Sequence, residues 1–599
     1  MGLASSFVWI AFLSLLAPGL AGAATPAAQQ PKVLRYALVS DATSLDPVAY
    51  TDIYSAEVVG SIIEPLFRYD YLARPVQLRP QLAAALPESS ADWREHTIRL
   101  RPGVYYADDP AFGGKPREVV AEDVVYAIKR IFDPRWKSAQ YPTFASYKLS
   151  GLEAARQKAI DSRQPFDYTA PVEGLKALDR HTLRIRLDAP NPRLAFALAN
   201  VSAAGPMARE VVERYGDTIG EHPVGSGPFK LAAWRRGSQI VLERNPGYRQ
   251  VLYDEQATPG DTAAEAIAAR LKGRRMPLVD RVEIAIIDED QPRWLAFLQR
   301  ELDLGALPGT FAPVAYPGGQ LAPNLARQGV VAHRLARPDL VYTVFNMDDP
   351  VVGGYAPAQV ALRRAIGLGY DNAEEVRAIR RGMGLPAQSV VPPETYGHEP
   401  ALKSEMSLYD PARANALLDL YGFVDRDGDG WRERPDGSPL VLQFHSDKTL
   451  RPYNELWKRR MDAIGLRIEF PSGLWTEQRK AARAGKLMIW GLAWNAGTPD
   501  ADEFLRLGYG PAAGGDNVAR FRLPAFDALY QRQAALPDSP ERLEAIAQAN
   551  RLLLAYLPMK GHVHRVSVTM HWPWVVGYLP HPFMRSFHSY VDLAAPAPP

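Results

Sequence analysis

Short runs of alternating apolar and polar residues recur along the chain, and stretches with helical spacing lie between them. Val33–Leu38 alternates as a half-buried strand does, and a turn-rich segment then leads to a helix predicted over 53–66. Ala121–Phe132 carries apolar residues at helical spacing, with Glu122 and Asp123 in the first turn, where the helix dipole favours acidic groups. The beginning of the chain therefore predicts an α/β lobe.

From residue 282 to about residue 558, strands and helices alternate in the same way. The predicted elements are strands 282–287, 341–346, 440–444, 466–470 and 486–492, and helices 292–300, 357–368, 410–421, 452–464 and 476–485. Interleaved strands and helices in both halves indicate two α/β lobes. The polar, alanine-rich stretch 248–277 is predicted to be an insert at the surface.

The first 23 residues are predicted to be a cleaved secretory signal. The apolar run 7–20 is shorter than the roughly 20 residues that span a bilayer. It ends in Ala21-Gly22-Ala23, small residues of the kind that a signal peptidase reads, although no positive side chain precedes the run. No later hydrophobic run approaches membrane length, so we expect an exported chain.

Composition excludes several classes of protein. The 599 residues include no cysteine, which rules out thiol nucleophiles, zinc–cysteine sites, iron–sulfur clusters and a lipid-anchored amino-terminal cysteine. The 69 basic and 67 acidic residues nearly balance, whereas a nucleic-acid-binding protein carries a strong basic excess or stripe. An exported chain without disulfides or a lipid anchor fits a bacterial periplasm best.

The sequence lacks the motifs that usually mark catalysis. Gly225-Ser226-Gly227 is not a nucleophile elbow, because the second glycine follows the serine directly. A Walker A loop, a dinucleotide fingerprint and an H-E-x-x-H motif are also missing, and no spacing isolates a pair of carboxylates. These observations favour a binding protein without a cofactor over an enzyme.

An aspartate-rich segment is a candidate metal site. Asp425, Asp427, Asp429 and Asp436 have the spacing of a calcium loop, with Gly430 at the sixth position. The twelfth residue is Asp instead of the usual Glu, and a strand, not a helix, is predicted to follow. A polar turn between a helix and a strand is the alternative interpretation.

Five of the eleven histidines fall in the last 40 residues, at His562, His564, His571, His581 and His588. His562 and His564 could share one face of a strand and bind a transition metal or haem. The alternative is that these histidines are satisfied surface or interlobe residues.

Motifs in a fixed order carry a family resemblance. They are D-A-T-S-L-D-P at 41–47, I-E-P-L-F at 63–67, R-L-R-P-G-V at 99–104, A-E-D-V at 121–124, P-V-G-S-G-P-F at 223–229, R-N-P-G-Y at 244–248, F-N at 345–346, L-R-R-A-I at 362–366 with Asp371, and Y-D-P-A-R-A at 409–414. Together they resemble the extracellular solute-binding proteins of family 5. These are receptors of ABC importers for peptides, nickel chelates and related solutes.

The resemblance implies a bilobed periplasmic-binding-protein fold of type II, in the large cluster with an extra subdomain in the first lobe. The implied organisation is signal peptide 1–23, lobe I 24–70, inserted subdomain 71–200, lobe I 201–275, lobe II 276–560 and a return to lobe I over 561–599. It also implies a monomeric periplasmic receptor that closes on a small, peptide-like solute and delivers it to an ABC permease in the inner membrane.

The resemblance also implies two ligand-contacting segments. By position they are Tyr50, Thr51, Asp52 and Tyr54, and Trp494, Asn495, Ala496, Gly497, Thr498 and Asp500. Peptide receptors of the family carry an aspartate three residues after the tryptophan, which pairs with the ligand's α-ammonium, and here that position is Gly497. Because a buried ammonium needs a carboxylate, either Asp500 or Asp52 takes over, or the ligand has no free amino terminus. Tyr54 and Trp494 could instead be core aromatics.

Other functions stay open on the sequence alone. A receptor for haem or a nickel-type metal chelate is the alternative within the binding class. An exported hydrolase assembled from distant residues, and a sensory protein that docks a receptor kinase, are alternatives from other classes.

Overall fold

Two large hydrophobic cores divide the chain into two lobes. A computed structural model describes residues 30–594, so the predicted signal 1–23 lies outside the described residues. Leu34 and Ile284 are buried in the first core, and Leu340 and Ile366 in the second. The bilobed α/β fold that the sequence predicts is confirmed.

The first lobe is built on a four-stranded sheet. Its strands, in order across the sheet, are Val33–Leu38, Arg281–Ile286, Gln239–Arg244 and Phe229–Arg235. The first two run parallel, and the other pairs are antiparallel. The expected boundary at 275–276 put Arg281–Ile286 in lobe II. The strand lies in the first lobe because it buries Val282 and Ile284 in the first core.

A second four-stranded sheet lies in the expected inserted subdomain. Its antiparallel strands, in order, are Glu88–Ser89, Glu95–Arg99, Thr182–Arg186 and Leu175–Ala177. A bidentate ion pair ties this region to the segment before the first helix, because Arg130 donates to both oxygens of Asp46 over 2.9 and 2.8 Å. Both side chains are buried.

The second lobe contains the largest sheet. The main path of strands runs in the order Leu304–Ala306, Met559–His571, Asp339–Phe345, Ile489–Asn495, Val441–His445 and Arg467–Glu469, and Val331–Ala336 and Gly384–Pro386 also pair with Met559–His571. We call Met559–His571 the return strand, since the chain after it re-enters the first core at Val575, Tyr578 and Val591. Shorter strand pairs are Phe67–Tyr69 with Leu78–Pro80, Val251–Leu252 with Arg275–Met276, and Val575–Val576 with Asp592–Leu593.

Helices occur in both lobes. The α-helices are Ile53–Ile62, Ala121–Phe132, Tyr141–Ser146, Leu152–Ser162, Leu194–Ala197, Val201–Ala204, Arg209–Tyr215, Thr262–Leu271, Asp290–Leu298, Ala312–Ala315, Pro323–Arg327, Pro357–Gly369, Asn372–Glu374, Pro411–Leu420, Arg451–Asp462, Trp475–Arg483, Asp502–Leu505, Pro524–Ala535 and Pro540–Tyr556. Among residues 30–594, none is long and apolar enough to cross a bilayer.

The motif at 223–229 packs against the end of the first helix. A Cβ at Gly225 would lie 2.1 Å from the carbonyl oxygen of Ile62, and one at Gly227 would lie 2.5 Å from it, so only glycine fits. Between them, the Ser226 hydroxyl donates to Glu64 over 2.9 Å, and Arg249 donates to both oxygens of Glu64 over 2.6 and 2.9 Å. These motif residues therefore hold the first lobe together.

The insert 248–277 is only partly a surface feature. Its helix Thr262–Leu271 exposes much of its length, as expected for a surface excursion. However, Tyr253 and Leu271 are buried in a small core with Tyr590. The insert thus fastens the end of the chain to the first lobe.

Candidate functional site

The first predicted contact segment surrounds the start of helix Ile53–Ile62. Asp52 caps this helix: its Oδ1 accepts from the Ser55 backbone N–H at 2.7 Å, and its Oδ2 accepts from the hydroxyls of Thr43 and Ser55. Burial opposes ionisation, but these hydrogen bonds outweigh it and hold the pKa of Asp52 below its usual value. Tyr50 is buried in the first core, and Thr51 is exposed.

Tyr54 is the member of this segment that approaches the second lobe. It packs against the first core while remaining partly exposed. Burial raises the pKa of Tyr54, and the charges of Arg293 and Arg337 oppose that rise. Arg337 precedes the second-lobe strand Asp339–Phe345, so the phenol lies near the lobe boundary.

The second predicted segment begins at the end of strand Ile489–Asn495. Trp494 packs against the second core, and its indole N–H is buried without a hydrogen-bond partner among residues 30–594. Asn495 and Ala496 line a cavity of about 60 Å³. Gly497 is exposed and Thr498 is partly buried.

Residues of the second lobe and of the chain that follows the return strand line this interlobe cavity. Its lining residues are Leu335, Arg337, Pro338, Asn495, Ala496, Ser567, His581, Pro582 and Arg585. The volume is below the roughly 300 Å³ at which ligand pockets begin, so the lobes must separate further to admit a solute. A larger cavity of about 310 Å³, between Trp136, Tyr168 and Arg209, lies away from the boundary, and its Arg209 is paired with Glu213.

Asp500 does not face this cavity. Its Oδ1 and Oδ2 accept from Arg542 over 2.5 and 2.9 Å, and both side chains are buried. Burial disfavours ionisation, but the charges of Arg542 and Arg193 outweigh it and lower the pKa of Asp500. The sequence suggests that Asp500 or Asp52 replaces the carboxylate that position 497 lacks. In the structure both carboxylates are already engaged, Asp500 in an ion pair and Asp52 in a helix cap.

Glu503 is the carboxylate that lies against Gly497. Its Oε2 accepts from the Gly497 backbone N–H at 2.9 Å, and its Oε1 accepts from the Thr498 hydroxyl at 2.7 Å. A Cβ at Gly497 would lie 3.4 Å from Oε1, so this carboxylate occupies the space in front of position 497. Burial raises the pKa of Glu503 to about 7, and no cation among residues 30–594 pairs with it to oppose that rise.

Glu503 also lies close to side chains from the first half of the chain. Burial raises the pKa values of Tyr69 and Tyr147, and the negative charge of Glu503 raises them further. Glu503 therefore sits at the boundary between the lobes, next to the cavity wall formed by Asn495 and Ala496.

Asn495 and Ala496 of the predicted loop line the cavity, whereas sequence reasoning did not single out Glu503, Arg337 or Arg585. The signal for Glu503 was weak: it is an acidic residue in a short helix, six positions after Gly497. Arg337 and Arg585 lie outside the motifs, and only the folded chain brings them to the same cavity.

The aspartate-rich segment forms a different cluster from the one its spacing predicts. Ligand oxygens of Asp425, Asp427, Asp429 and Glu433 lie within 4.8 Å of one another. Asp436 is not in this group, because it accepts from the backbone and hydroxyl of Ser438 in a separate turn. The carboxylates of the other aspartates accept from backbone N–H groups within the loop, as in a polar turn.

The C-terminal histidines are buried and hydrogen-bonded. His562 contacts Glu375 at 2.9 Å through Nδ1 and Thr343 at 2.9 Å through Nε2. His564 Nδ1 lies 2.6 Å from the Asp339 carbonyl, and His588 contacts Ser61 and Tyr36. No group of three metal-ligating side chains that includes a histidine occurs among residues 30–594.

Comparison with known proteins assigns the family. The model for bacterial extracellular solute-binding proteins, family 5 Middle, matches residues 77–516. The chain belongs to family 5 of the bacterial extracellular solute-binding proteins. The resemblance inferred from the motifs is thereby confirmed, and this family 5 protein belongs to a family of binding proteins.

Relatives of this family 5 protein span nearly its whole length. Di/tripeptide-binding protein 2 of Pseudomonas aeruginosa is 25% identical over 589 residues, covering 96% of this chain and 97% of that protein. Heme-binding protein A of Haemophilus influenzae is 24% identical over 518 residues, 84% of this chain and 82% of that protein.

A solved structure supports the fold of this family 5 protein. The periplasmic binding protein DppA from Helicobacter pylori, in complex with the peptide STSA, matches with a TM-score of 0.68 at 20% identity. The match covers 94% of this chain and 99% of that one. At this identity the likeness establishes the fold alone.

Proposed function

We propose that the chain is the periplasmic receptor of an ABC importer and captures a peptide or peptide-like solute between its two lobes. In this proposal it delivers the solute unchanged to a permease in the inner membrane. The observation that carries the proposal is the half-buried carboxylate of Glu503, which pairs with no cation among residues 30–594 and lies against Gly497, next to the cavity-lining residues Asn495 and Ala496. An α-ammonium group supplies the charge that this carboxylate lacks.

The position of Glu503 supports this role. Peptide receptors of the family carry an aspartate where this chain has Gly497, and the Glu503 carboxylate lies 3.4 Å from where a Cβ at 497 would be. Hydrogen bonds from Gly497 and Thr498 hold it there. The relative named as a di/tripeptide-binding protein, which aligns over 96% of this chain, supports a short peptide as the solute.

The haem alternative finds less support. Haem and metal-chelate binding commonly use a histidine with a free ring nitrogen. Both ring nitrogens of His562 are engaged, and those of His588 contact Ser61 and Tyr36. His581 lines the cavity with its Nε2 unpartnered among residues 30–594, but its Nδ1 accepts from the backbone N–H groups of Phe583 and Met584, which leaves the ring proton on Nε2 and no free lone pair there. We therefore retain the peptide as the proposed solute.

Isothermal titration with a dipeptide library and the N-acetylated forms of the same dipeptides tests the proposal. We expect free dipeptides to bind and acetylation to weaken binding at least about 100-fold, since it removes the ammonium charge at a buried carboxylate. Glu503→Gln should weaken the free dipeptides and leave the acetylated forms unchanged.

Asp502→Asn is the matched control, because the Asp502 carboxylate accepts from Gln533 and Tyr530 within the second lobe. Equal binding of free and acetylated dipeptides, or loss of binding in Asp502→Asn alone, contradicts the role of Glu503. Failure of the whole library to bind contradicts the proposed function.

A further inference from the structure

The larger cavity, of about 310 Å³, lies within the first lobe. Helix Ala121–Phe132 contributes Tyr126 to its wall, and helix Arg209–Tyr215 contributes Arg209 and Glu213. Among the described residues, none lines both this cavity and the interlobe cavity. Its volume reaches the roughly 300 Å³ at which small-molecule sites begin, so the cavity has room for a small ligand.

The Tyr126 side chain lines this cavity with a hydroxyl that has no partner. Tyr126 is only 8% exposed, and among residues 30–594 its hydroxyl forms no hydrogen bond. Burial raises the pKa of Tyr126, the charges of Arg130 and Arg209 oppose that rise, and the charge of Glu213 adds to it. The phenol is therefore protonated at neutral pH and can both donate and accept. Because buried hydroxyls are normally hydrogen-bonded, this one is available to a polar ligand.

The aromatic side chains around Tyr126 are held in place by the protein. The Trp136 indole N–H donates to the Tyr168 hydroxyl over 3.1 Å, and that hydroxyl donates to Asp133 over 2.6 Å. The Arg130 guanidinium lies 4.2 Å from the centre of a Trp136 ring, and its bidentate pair with buried Asp46 fixes it there. A wall that is already ordered lowers the entropic cost of binding a ligand.

The charges around the cavity balance. Arg209 pairs with Glu213 at 2.7 Å, and Arg135, which also lines the cavity, pairs with Asp217 at 2.7 Å. Both oxygens of Asp133 already accept hydrogen bonds from the wall itself. The cavity therefore favours a neutral ligand over an ion. The exposed Arg209–Glu213 pair also places a donor and an acceptor side by side at the mouth of the cavity.

We propose that this cavity binds the pyranose ring of a neutral sugar. A pyranose ring has apolar C–H faces, which aromatic side chains can contact, and hydroxyl groups, which donate and accept hydrogen bonds. Tyr126 bonds one sugar hydroxyl inside the cavity, and Arg209 and Glu213 bond two neighbouring hydroxyls at its mouth. This site is separate from the interlobe cavity and does not depend on the proposed function.

Saturation-transfer difference NMR with a panel of neutral sugars tests this inference. The panel contains glucose, galactose, mannose and N-acetylglucosamine, with cellobiose, lactose and N,N′-diacetylchitobiose as disaccharides. We expect at least one sugar to bind the wild type through its ring protons. Tighter binding of a disaccharide than of its monosaccharide supports a residue of a longer glycan as the occupant, and equal binding supports a free monosaccharide.

Variants at the cavity locate the bound sugar. Tyr126→Phe and Arg209→Met should each weaken sugar binding about tenfold, since each removes hydrogen bonds to the ligand. Tyr105→Phe removes an exposed hydroxyl outside the cavity, and Arg99→Met breaks an exposed pair with Glu88. These two matched controls should bind the sugar as the wild type does.

Four results overturn the inference. They are the absence of binding by the whole panel, sugar binding that Tyr126→Phe and Arg209→Met leave unchanged, binding of phenol without binding of any sugar, and displacement of the sugar by a bound dipeptide. Displacement would place the sugar in the interlobe cavity. Dipeptide binding should be the same in Tyr126→Phe as in the wild type, so failure of this site leaves the proposed function standing.

The unliganded proteins give a second readout. Because the Tyr126 hydroxyl has no partner among residues 30–594, Tyr126→Phe should keep the melting temperature of the wild type. A clear drop in melting temperature would mean that this hydroxyl serves the fold, and this would also overturn the inference.

Discussion

In the proposed function, Glu503 couples ionisation to ligand binding at a single residue. Two hydrogen bonds, from Gly497 and Thr498, fix its position. Within the part of the chain that the structure describes no cation neutralises it, and burial raises its pKa to about 7. A ligand ammonium placed beside it favours the ionised form. Binding should therefore release protons near neutral pH and weaken as the pH falls below 7.

The raised pKa of Glu503 also makes the fold less stable as the pH rises. A carboxyl whose pKa is about 7 in the fold, against 4.5 ordinarily, stabilises the fold fully below about pH 4.5 and loses that contribution as the pH rises through 7. Relative to Glu503→Gln, we expect the unliganded wild type to lose about 2 to 3 kcal/mol of unfolding free energy between pH 5 and pH 8. Urea unfolding at both pH values measures this. A raised pKa would be contradicted if the unfolding free energies of the wild type and Glu503→Gln differed by the same amount at both pH values.

The residues of the site were only partly predictable from the sequence. The resemblance points to the loop after Trp494, and Asn495 and Ala496 of that loop line the cavity. Asp500 was a candidate for the ammonium-binding carboxylate because it lies close to Gly497 in the sequence. Its partner Arg542 lies 42 residues further along the chain, and only the folded structure shows that the two side chains pair. Sequence spacing cannot reveal which of several nearby carboxylates a distant arginine neutralises.

At the scale of elements, the motifs that carried the resemblance are structural connections. Asp46 pairs with Arg130 on helix Ala121–Phe132, and Glu64 joins Ser226 to Arg249. These residues fix how the inserted region and the first helix pack, and they do not line the interlobe cavity. The shared motifs therefore identify the fold but do not identify the solute.

Breaking the buried Asp46–Arg130 pair should be strongly destabilising. Arg130→Ala leaves the Asp46 carboxylate buried without a cation, which typically costs about 3 to 5 kcal/mol. The double variant Asp46→Leu/Arg130→Met should recover much of that loss, as measured by denaturant unfolding. Arg99→Ala, which breaks an exposed pair with Glu88, is the control and should change stability by less than about 1 kcal/mol. A loss in Arg130→Ala as small as in this control would contradict the assigned role.

Strongly periodic elements were predictable, and the return strand was not. Ala121–Phe132 has the predicted bounds, because its apolar face follows helical spacing without interruption. Met559–His571 places the polar residues Lys560, His562 and His564 in buried positions, so its pattern does not alternate. Partners from distant segments, such as Glu375 for His562 and the Met406 carbonyl for Lys560, satisfy these groups.

At the scale of the whole molecule, Arg193 joins the lobes. It extends from the first lobe to the carboxyl end of helix Pro524–Ala535, where it donates to the carbonyl of Leu536 at 3.0 Å and to that of Ala534. A cation at a helix carboxyl end interacts favourably with the helix dipole. We therefore expect this contact to favour the arrangement in which the lobes lie close together.

Removing this contact should shift the lobes towards an open arrangement. We expect Arg193→Ala to increase the radius of gyration in small-angle X-ray scattering of the unliganded protein and to weaken solute binding by about tenfold. Arg94→Ala, which removes an exposed arginine from the same lobe, is the control and should change neither quantity. An unchanged radius of gyration in Arg193→Ala would contradict its role in closure.

The central claim is that the lobes enclose a short peptide whose ammonium meets Glu503. Native mass spectrometry of freshly purified protein tests this most directly, followed by denaturation and sequencing of whatever is released. The account predicts adducts with the masses of di- or tripeptides on the wild type and on Asp502→Asn, and their loss from Glu503→Gln. A bound species without a free amine, such as haem or a metal chelate, or peptide adducts that persist in Glu503→Gln, would contradict it.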